Sequence, residues 1–174
     1  MKKVKGLKMM LLLLIFALIV STISGCSSSS SSEDEEKVIR FGAALPLTGA
    51  LSTEGEKHQH GYDLWKDQVN EKGGIEINGE KYKVEIKYYD YQSDTATAVK
   101  LAEKAITEDN IKLLFGPFGS GVAKAVSAVT EKYQVPMIAP SASAEDVYSE
   151  GYKYIFGTFT PDKTLTEPMA DLAM

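Results

Sequence analysis

The chain has 174 residues, 44% of them hydrophobic and 25% charged, the balance of a folded globular protein. At roughly 150 residues per domain, that length holds one domain, or one and a piece of another. The first 25 residues carry four lysines and no acid, so the rest keeps 15 basic against 24 acidic side chains and a formal charge of −9. A surface so acidic argues against nucleic-acid binding, which needs cations to replace the phosphate counterions. A single cysteine, Cys26, excludes a disulfide framework and a cysteine-based metal cluster.

Lys2, Lys3, Lys5 and Lys8 precede twelve consecutive apolar residues, 9–20, and small polar residues then lead to Gly25 and Cys26. A spanning helix needs about 20 predominantly apolar residues, so this core has the length of an export signal. An uncleaved anchor is the alternative, because residues 9–26 carry no charge. Ile23-Ser24-Gly25-Cys26 resembles the bacterial lipobox, in which the cysteine is lipidated and becomes the new N-terminus. Several acyl chains on one residue make a stable anchor, at about 0.8 kcal/mol per buried CH₂. The serine run 27–32 and the acidic cluster 33–36 cannot build a core and read as a tether. Residues 1–25 are therefore expected to be a signal peptide and 26–37 a linker, with the folded part outside the cytoplasm.

From residue 38 the chain alternates strands and helices. Residues 38–45 read as a buried strand ending at Pro46, 48–55 as a loop of small residues, and 56–72 as a helix stopped by Gly73-Gly74. Asn78-Gly79 signals a tight turn before a strand over 81–90, with Val84, Ile86 and Tyr88 on one face. Ser93 or Asp94 caps the next helix, whose Ala98, Leu101, Ala102, Ala105 and Ile106 form one apolar stripe. A short strand over 111–115 leads through the glycine-rich turn 116–121 into a helix striped by Val122, Ala125, Val126, Val129 and Tyr133. A strand over 135–139, a serine loop, a short strand over 154–156 and a helix from Asp162 complete the pattern. Successive βα units imply an α/β fold: a doubly wound, mostly parallel sheet with helices on both faces. The pattern stops inside that last helix, as in the front part of a longer chain.

In such a sheet, ligands sit beyond the carboxyl ends of the strands, where the loops 48–55, 116–121 and 140–144 fall. Ser120 opens a helix whose free N–H groups and dipole favour an anion such as a carboxylate, and the flanking glycines let a ligand approach the backbone. Ser141 and Ser143 offer hydroxyls on the neighbouring loop, although helix capping alone also favours serine at such places. Other chemistries fail on residue types. The turn 116–121 lacks the Lys-Ser/Thr pair of a P-loop, and Phe118 stands where a nucleophile elbow requires glycine. His58 and His60, two apart, project about 200° from each other on a helix and read as solvated or helix-face residues rather than metal ligands. They are the only histidines, and no Ser-His-Asp set can be assembled from them. Tyr88, Tyr89 and Tyr91 read as strand packing or strand-end surface rather than a stacking platform.

Three stretches then carry a specific resemblance. The first is Phe41-Gly42-Ala43-Ala44-Leu45-Pro46-Leu47-Thr48-Gly49 with Gly55, and the second is Val69-Asn70-Glu71-Lys72-Gly73-Gly74-Ile75. The third runs from Leu114-Phe115-Gly116-Pro117 through Pro136-Met137-Ile138-Ala139-Pro140-Ser141-Ala142-Ser143 to Gly151-Tyr152. In order and spacing these resemble the type I periplasmic binding proteins of the branched-chain amino-acid (Leu/Ile/Val-binding) class, the substrate-binding lipoproteins of uptake ABC transporters. The resemblance covers about residues 38–174. It implies a first ligand-binding lobe over 38–158, the start of a crossover over 159–174, and a second lobe largely missing from this sequence. It implies no enzyme, no cofactor and no metal. The partners would be a small ligand (an amino acid or related amide), a membrane permease and the lipid anchor. In the family, positions matching Ser120, Ser141 and Ser143, around Ala142, hold the ligand's α-carboxylate and ammonium. Glu54 departs from the pattern, since relatives often place tyrosine or another uncharged group in that loop. A carboxylate facing the cleft would suit a ligand with an extra cation or hydroxyl. An extracytoplasmic sensor domain of the same fold and, in a different class, a flavodoxin-like enzyme are the alternatives.

Overall fold

The computed structural model describes residues 37–173, so the signal segment, Cys26, the serine run and the acidic cluster lie outside the described residues. Strand β1 (Val38–Leu45) is the axis of the fold. It pairs in parallel with β3 (Glu80–Asp90) along its whole length, from Val38 beside Lys83 to Leu45 beside Asp90. On its other side Phe41 to Ala43 pair in parallel with β4 (Leu113–Phe115). Strands β5 (Met137–Ala139) and β6 (Ile155–Gly157) extend the sheet in parallel, and β2 (Ile75–Ile77) closes the far side antiparallel to β3, giving the order β2-β3-β1-β4-β5-β6.

The two faces are covered by different helices because successive residues of each strand point opposite ways. Phe41, Ala43, Leu45, Val84 and Phe115 face helix α1 (Ser52–Glu71), which meets them with Tyr62, Trp65 and Val69. Phe115 stacks between Phe41 and Tyr62, at 4.9 and 4.4 Å between ring centres, while Trp65 stands edge-on to Phe41 and Phe115. On the opposite face Ala44, Tyr89, Leu114 and Met137 pack on α2 (Thr95–Thr107) and α3 (Ser120–Tyr133) through Ala98, Ala102, Ala105, Val126 and Val129. Strand β1 is buried from Phe41 onward, as a strand covered on both faces must be. The doubly wound sheet expected from the βα alternation is the one observed.

Several details differ from the sequence expectations. Residues 75–77, to which the sequence pattern assigns no element, pair as β2 through a hairpin at Asn78 and Gly79, both with positive φ (53° and 82°) as a two-residue turn requires. Where β2 stops, Asn70 takes over as partner of the sheet edge, accepting the Val84 N–H at 2.8 Å and donating to the Val84 carbonyl at 2.9 Å. Helix α1 begins at Ser52, so Glu54 and Gly55 lie in its first turn rather than in a loop. Leu51 precedes it without a side-chain cap; Ser93, distant in sequence, accepts the Leu51 N–H and donates to the Thr48 carbonyl. Asp94 is the residue that caps α2, accepting the Thr97 N–H at 2.7 Å. In α3 the buried side is rotated toward Ala123, Val126, Ser127 and Thr130, because the helix also packs on Ala139, Ala142 and Val147. Ser127 and Thr130 are tolerated there because their hydroxyls donate to carbonyls of the preceding turn. A 3-10 turn (Glu145–Val147) follows the serine loop, and α4 (Asp162–Ala173), which holds Pro168, is the last of the described elements.

The chain steps from β1 to β3 on one side and then crosses to β4 on the other. The order of the sheet therefore reverses between β1 and β4, and a crevice opens at their carboxyl ends.

Candidate functional site

At the end of β1, Asp90 from β3 organises the exit loop. Its carboxylate accepts the Thr48 hydroxyl at 2.6 Å and the backbone N–H groups of Thr48 and Gln92. Partial burial raises the pKa of Asp90, but these hydrogen bonds to the charged form outweigh it and hold the carboxyl below its usual range. Gly55, one turn into α1, lies so close to Pro46 that an added Cβ would stand 2.3 Å from the Pro46 carbonyl oxygen.

After β4 the chain turns through Gly116 to Gly119 into α3. Gly119 adopts a φ of +87°, open to glycine and strained for other residues, and contributes no side-chain cap. The first intrahelical acceptor is the Gly119 carbonyl, taken by Ala123, which leaves the N–H groups of Ser120, Gly121 and Val122 unclaimed by the helix. Two tyrosines from opposite faces of the sheet hold the turn: Tyr62 donates to the Gly116 carbonyl and Tyr91 to that of Phe118. Burial keeps both phenols protonated, pushing Tyr62 far up and Tyr91 to about 12.

The loop after β5 locks onto this turn. The Ser141 hydroxyl oxygen accepts the Gly119 N–H at 3.3 Å, and the Ser120 hydroxyl oxygen accepts the N–H groups of both Ser143 and Ala144 at 3.2 Å. Ser120 thus does not cap its own helix. A hydroxyl has two lone pairs and one hydrogen, so with both lone pairs engaged Ser120 is left with donation alone. Its next partner must be an acceptor. The Ser143 hydroxyl has no partner among the described residues, whereas the Ala142 side chain is buried and its carbonyl accepts from Tyr148. Ser120 and Ser143 are thus directly bonded, Ser141 is tied to Gly119 on the same turn, and Ala142 lies between them on the loop; together they present a hydroxyl donor beside a helix N-terminus, an arrangement suited to a carboxylate.

Glu54 stands apart from that cluster, on α1. Its carboxylate pairs with Lys57 at 2.8 Å, and both line a groove of about 470 Å³ with His58, Gly61 and Tyr62. His58 lies on a helix face, as one of the expected alternatives has it, and is half-buried there, its ring 5.4 Å from that of Phe118 and 6.1 Å from that of Tyr62. Phe118 follows Gly116 and Pro117 and precedes Ser120, so it links the groove to the serine cluster. The sequence contained a signal for this. Residues 54, 58 and 61 share one helix face by their spacing, and an aromatic side chain in a glycine-rich turn has somewhere to pack. Among the described residues no group of three or more His, Cys, Asp or Glu is placed to hold a metal ion, and no helix is long and apolar enough to cross a membrane.

Known proteins match this architecture closely. Residues 38–174 match the model of the periplasmic binding protein family. The Leu/Ile/Val-binding protein homolog 8 of Brucella abortus is 30% identical over 134 residues, 77% of this chain and 32% of that protein. The Leu/Ile/Val-binding protein BraC3 of Rhizobium johnstonii is 33% identical over 76% of this chain and 35% of its own length. Among solved structures, the branched-chain amino acid transporter substrate-binding protein LivJ of Streptococcus pneumoniae, in complex with isoleucine, superimposes with a TM-score of 0.65 at 28% identity. That match covers 77% of this chain and 39% of LivJ. The chain spans about a third of the length of the curated relatives it matches. A six-stranded, mostly parallel sheet with its crevice between β1 and β4, matched to the family from β1 onward, leads to one conclusion: this chain belongs to the periplasmic binding protein family.

Proposed function

We propose that this chain supplies the first lobe of an exported solute-binding protein that delivers an amino acid, or a similarly small polar solute, to an ABC permease. The observation that carries the reading is the state of Ser120. Its hydroxyl is committed to donation, beside three unclaimed helix N–H groups and the free hydroxyl of Ser143. This suits the carboxylate of an α-amino acid, and the ligand classes in the relatives' names favour the same solute. A second lobe closes over the ligand by a hinge, and the closed form is the one the permease takes. Lipidation at Cys26, with the stretch 27–36 as tether, holds the protein at the outer face of the membrane.

Titration calorimetry with a panel of amino acids, on protein expressed from the whole reading frame, tests the reading. A hydrogen bond to a charged group contributes roughly 1.5–3 kcal/mol, so Ser120→Ala is expected to weaken binding by about 10- to 100-fold. Unchanged affinity in that variant refutes the site.

A further inference from the structure

Outside the serine cluster, the groove on α1 holds polar groups that the proposed carboxylate site does not use. Glu54, Lys57, His58 and Gly61 follow one another along a single strip of the helix, and nothing lies within 4 Å of where a Cβ on Gly61 would be, so the strip is open. The donor and acceptor roles along it follow from one contact. His58 Nδ1 lies 2.8 Å from the Glu54 carbonyl oxygen, which can only accept, so Nδ1 carries the hydrogen. In the neutral imidazole, Nε2 is then an acceptor, and no described residue bonds it. Glu54 gives one carboxylate oxygen to Lys57, and its second has no partner among the described residues. Lys57 uses one of its three donors on Glu54. The strip therefore offers two acceptor groups, Glu54 and His58 Nε2, and one donor group, Lys57, with charges that cancel, beside the Phe118 ring.

From this we infer that the groove selects a neutral carboxamide at the distal end of the ligand, so that glutamine or asparagine is preferred over a branched aliphatic amino acid. The inference rests on the amino-acid reading above and adds the side-chain class. The two N–H bonds of a carboxamide match Glu54 and His58 Nε2, and its carbonyl matches Lys57. An aliphatic side chain leaves His58 Nε2, the second Glu54 oxygen and the remaining Lys57 N–H groups desolvated without new partners as the cleft closes. A ligand cation is repelled by the Lys57 ammonium beside it, and a ligand anion by the Glu54 carboxylate.

Calorimetry with L-glutamine, L-leucine, L-lysine and L-glutamate on the full-length protein decides between them. Glutamine is expected to bind about tenfold more tightly than the others, the value of one to two net hydrogen bonds. His58→Phe, which keeps the ring contact and removes Nε2, is expected to cost glutamine about tenfold while leucine binds no more weakly. Glu54→Leu is expected to do the same, and it carries the test if a thermal melt shows the His58 variant unfolded. Leucine binding as tightly as glutamine to the wild type, or variants that weaken both ligands equally, overturns the inference. If leucine wins while Ser120→Ala still weakens it, the proposed function stands and only the side-chain class falls. Binding of no amino acid overturns both.

Discussion

Ser120 and Ser143 look alike in sequence but do different physical work. The Ser120 oxygen satisfies two backbone N–H groups of the neighbouring loop, and removing it leaves both without their partner in a half-buried place. Ser120→Ala should therefore lower stability as well as affinity. The Ser143 hydroxyl makes no bond with a described residue, so Ser143→Ala is expected to leave the denaturation midpoint within about 0.5 kcal/mol of wild type while weakening the ligand about tenfold or more. A stability loss in Ser143→Ala without a loss of affinity would contradict that division. Asp90 offers a pH test. Its folded carboxyl titrates below the usual 3.8, so the stability it contributes is complete above about pH 4 and is lost as pH falls through the lower folded value. Denaturant melts of wild type and Asp90→Asn should differ at pH 6 and converge toward pH 2; a gap that widens on acidification contradicts the assignment.

At the scale of elements, the docking of α1 against the exit of β1 depends on a missing side chain. A methyl at position 55 meets the Pro46 carbonyl at 2.3 Å, and backbone on both sides has little room to move. Gly55→Ala is expected to destabilise by about 1–3 kcal/mol, read as a shift in the urea midpoint, despite alanine's better helix propensity. A gain in stability would mean that propensity outweighs the clash. The helices were legible where an apolar stripe met a stop signal: α2 follows its alanine stripe and α1 ends at Gly73-Gly74. The start of α1 was not, because its support comes from Ser93 and Asp90, which no local pattern around residue 51 contains. Strand β2 was missed for another reason. Three residues between Gly74 and Asn78 are too few to display a period.

For the whole molecule, the order β2-β3-β1-β4-β5-β6 brings the ends of β1, β4 and β5 together at one edge of the sheet, and every proposed ligand contact lies on the loops and helix starts that follow them. Anchoring belongs to this scale too. Cys26→Ala is expected to move the protein from the membrane to the soluble fraction or to leave it unprocessed, as judged by fractionation and mass. Normal cleavage with full membrane retention would remove Cys26 from the proposal.

The sequence by itself determined the α/β class, the alternation of strands and helices, and the positions of the serines and glycines at strand ends, because these follow from periodicity and turn chemistry within a few residues. Only the tertiary structure decided what the serines have left to offer. Whether a hydroxyl can meet a ligand depends on which of its lone pairs the rest of the protein already occupies, and for Ser120 the occupants are Ser143 and Ala144, on another loop. The same holds for His58. Spacing alone puts it on a helix face, but Phe118, brought beside it by the crossing from β3 to β4, gives that face a wall and makes it a groove.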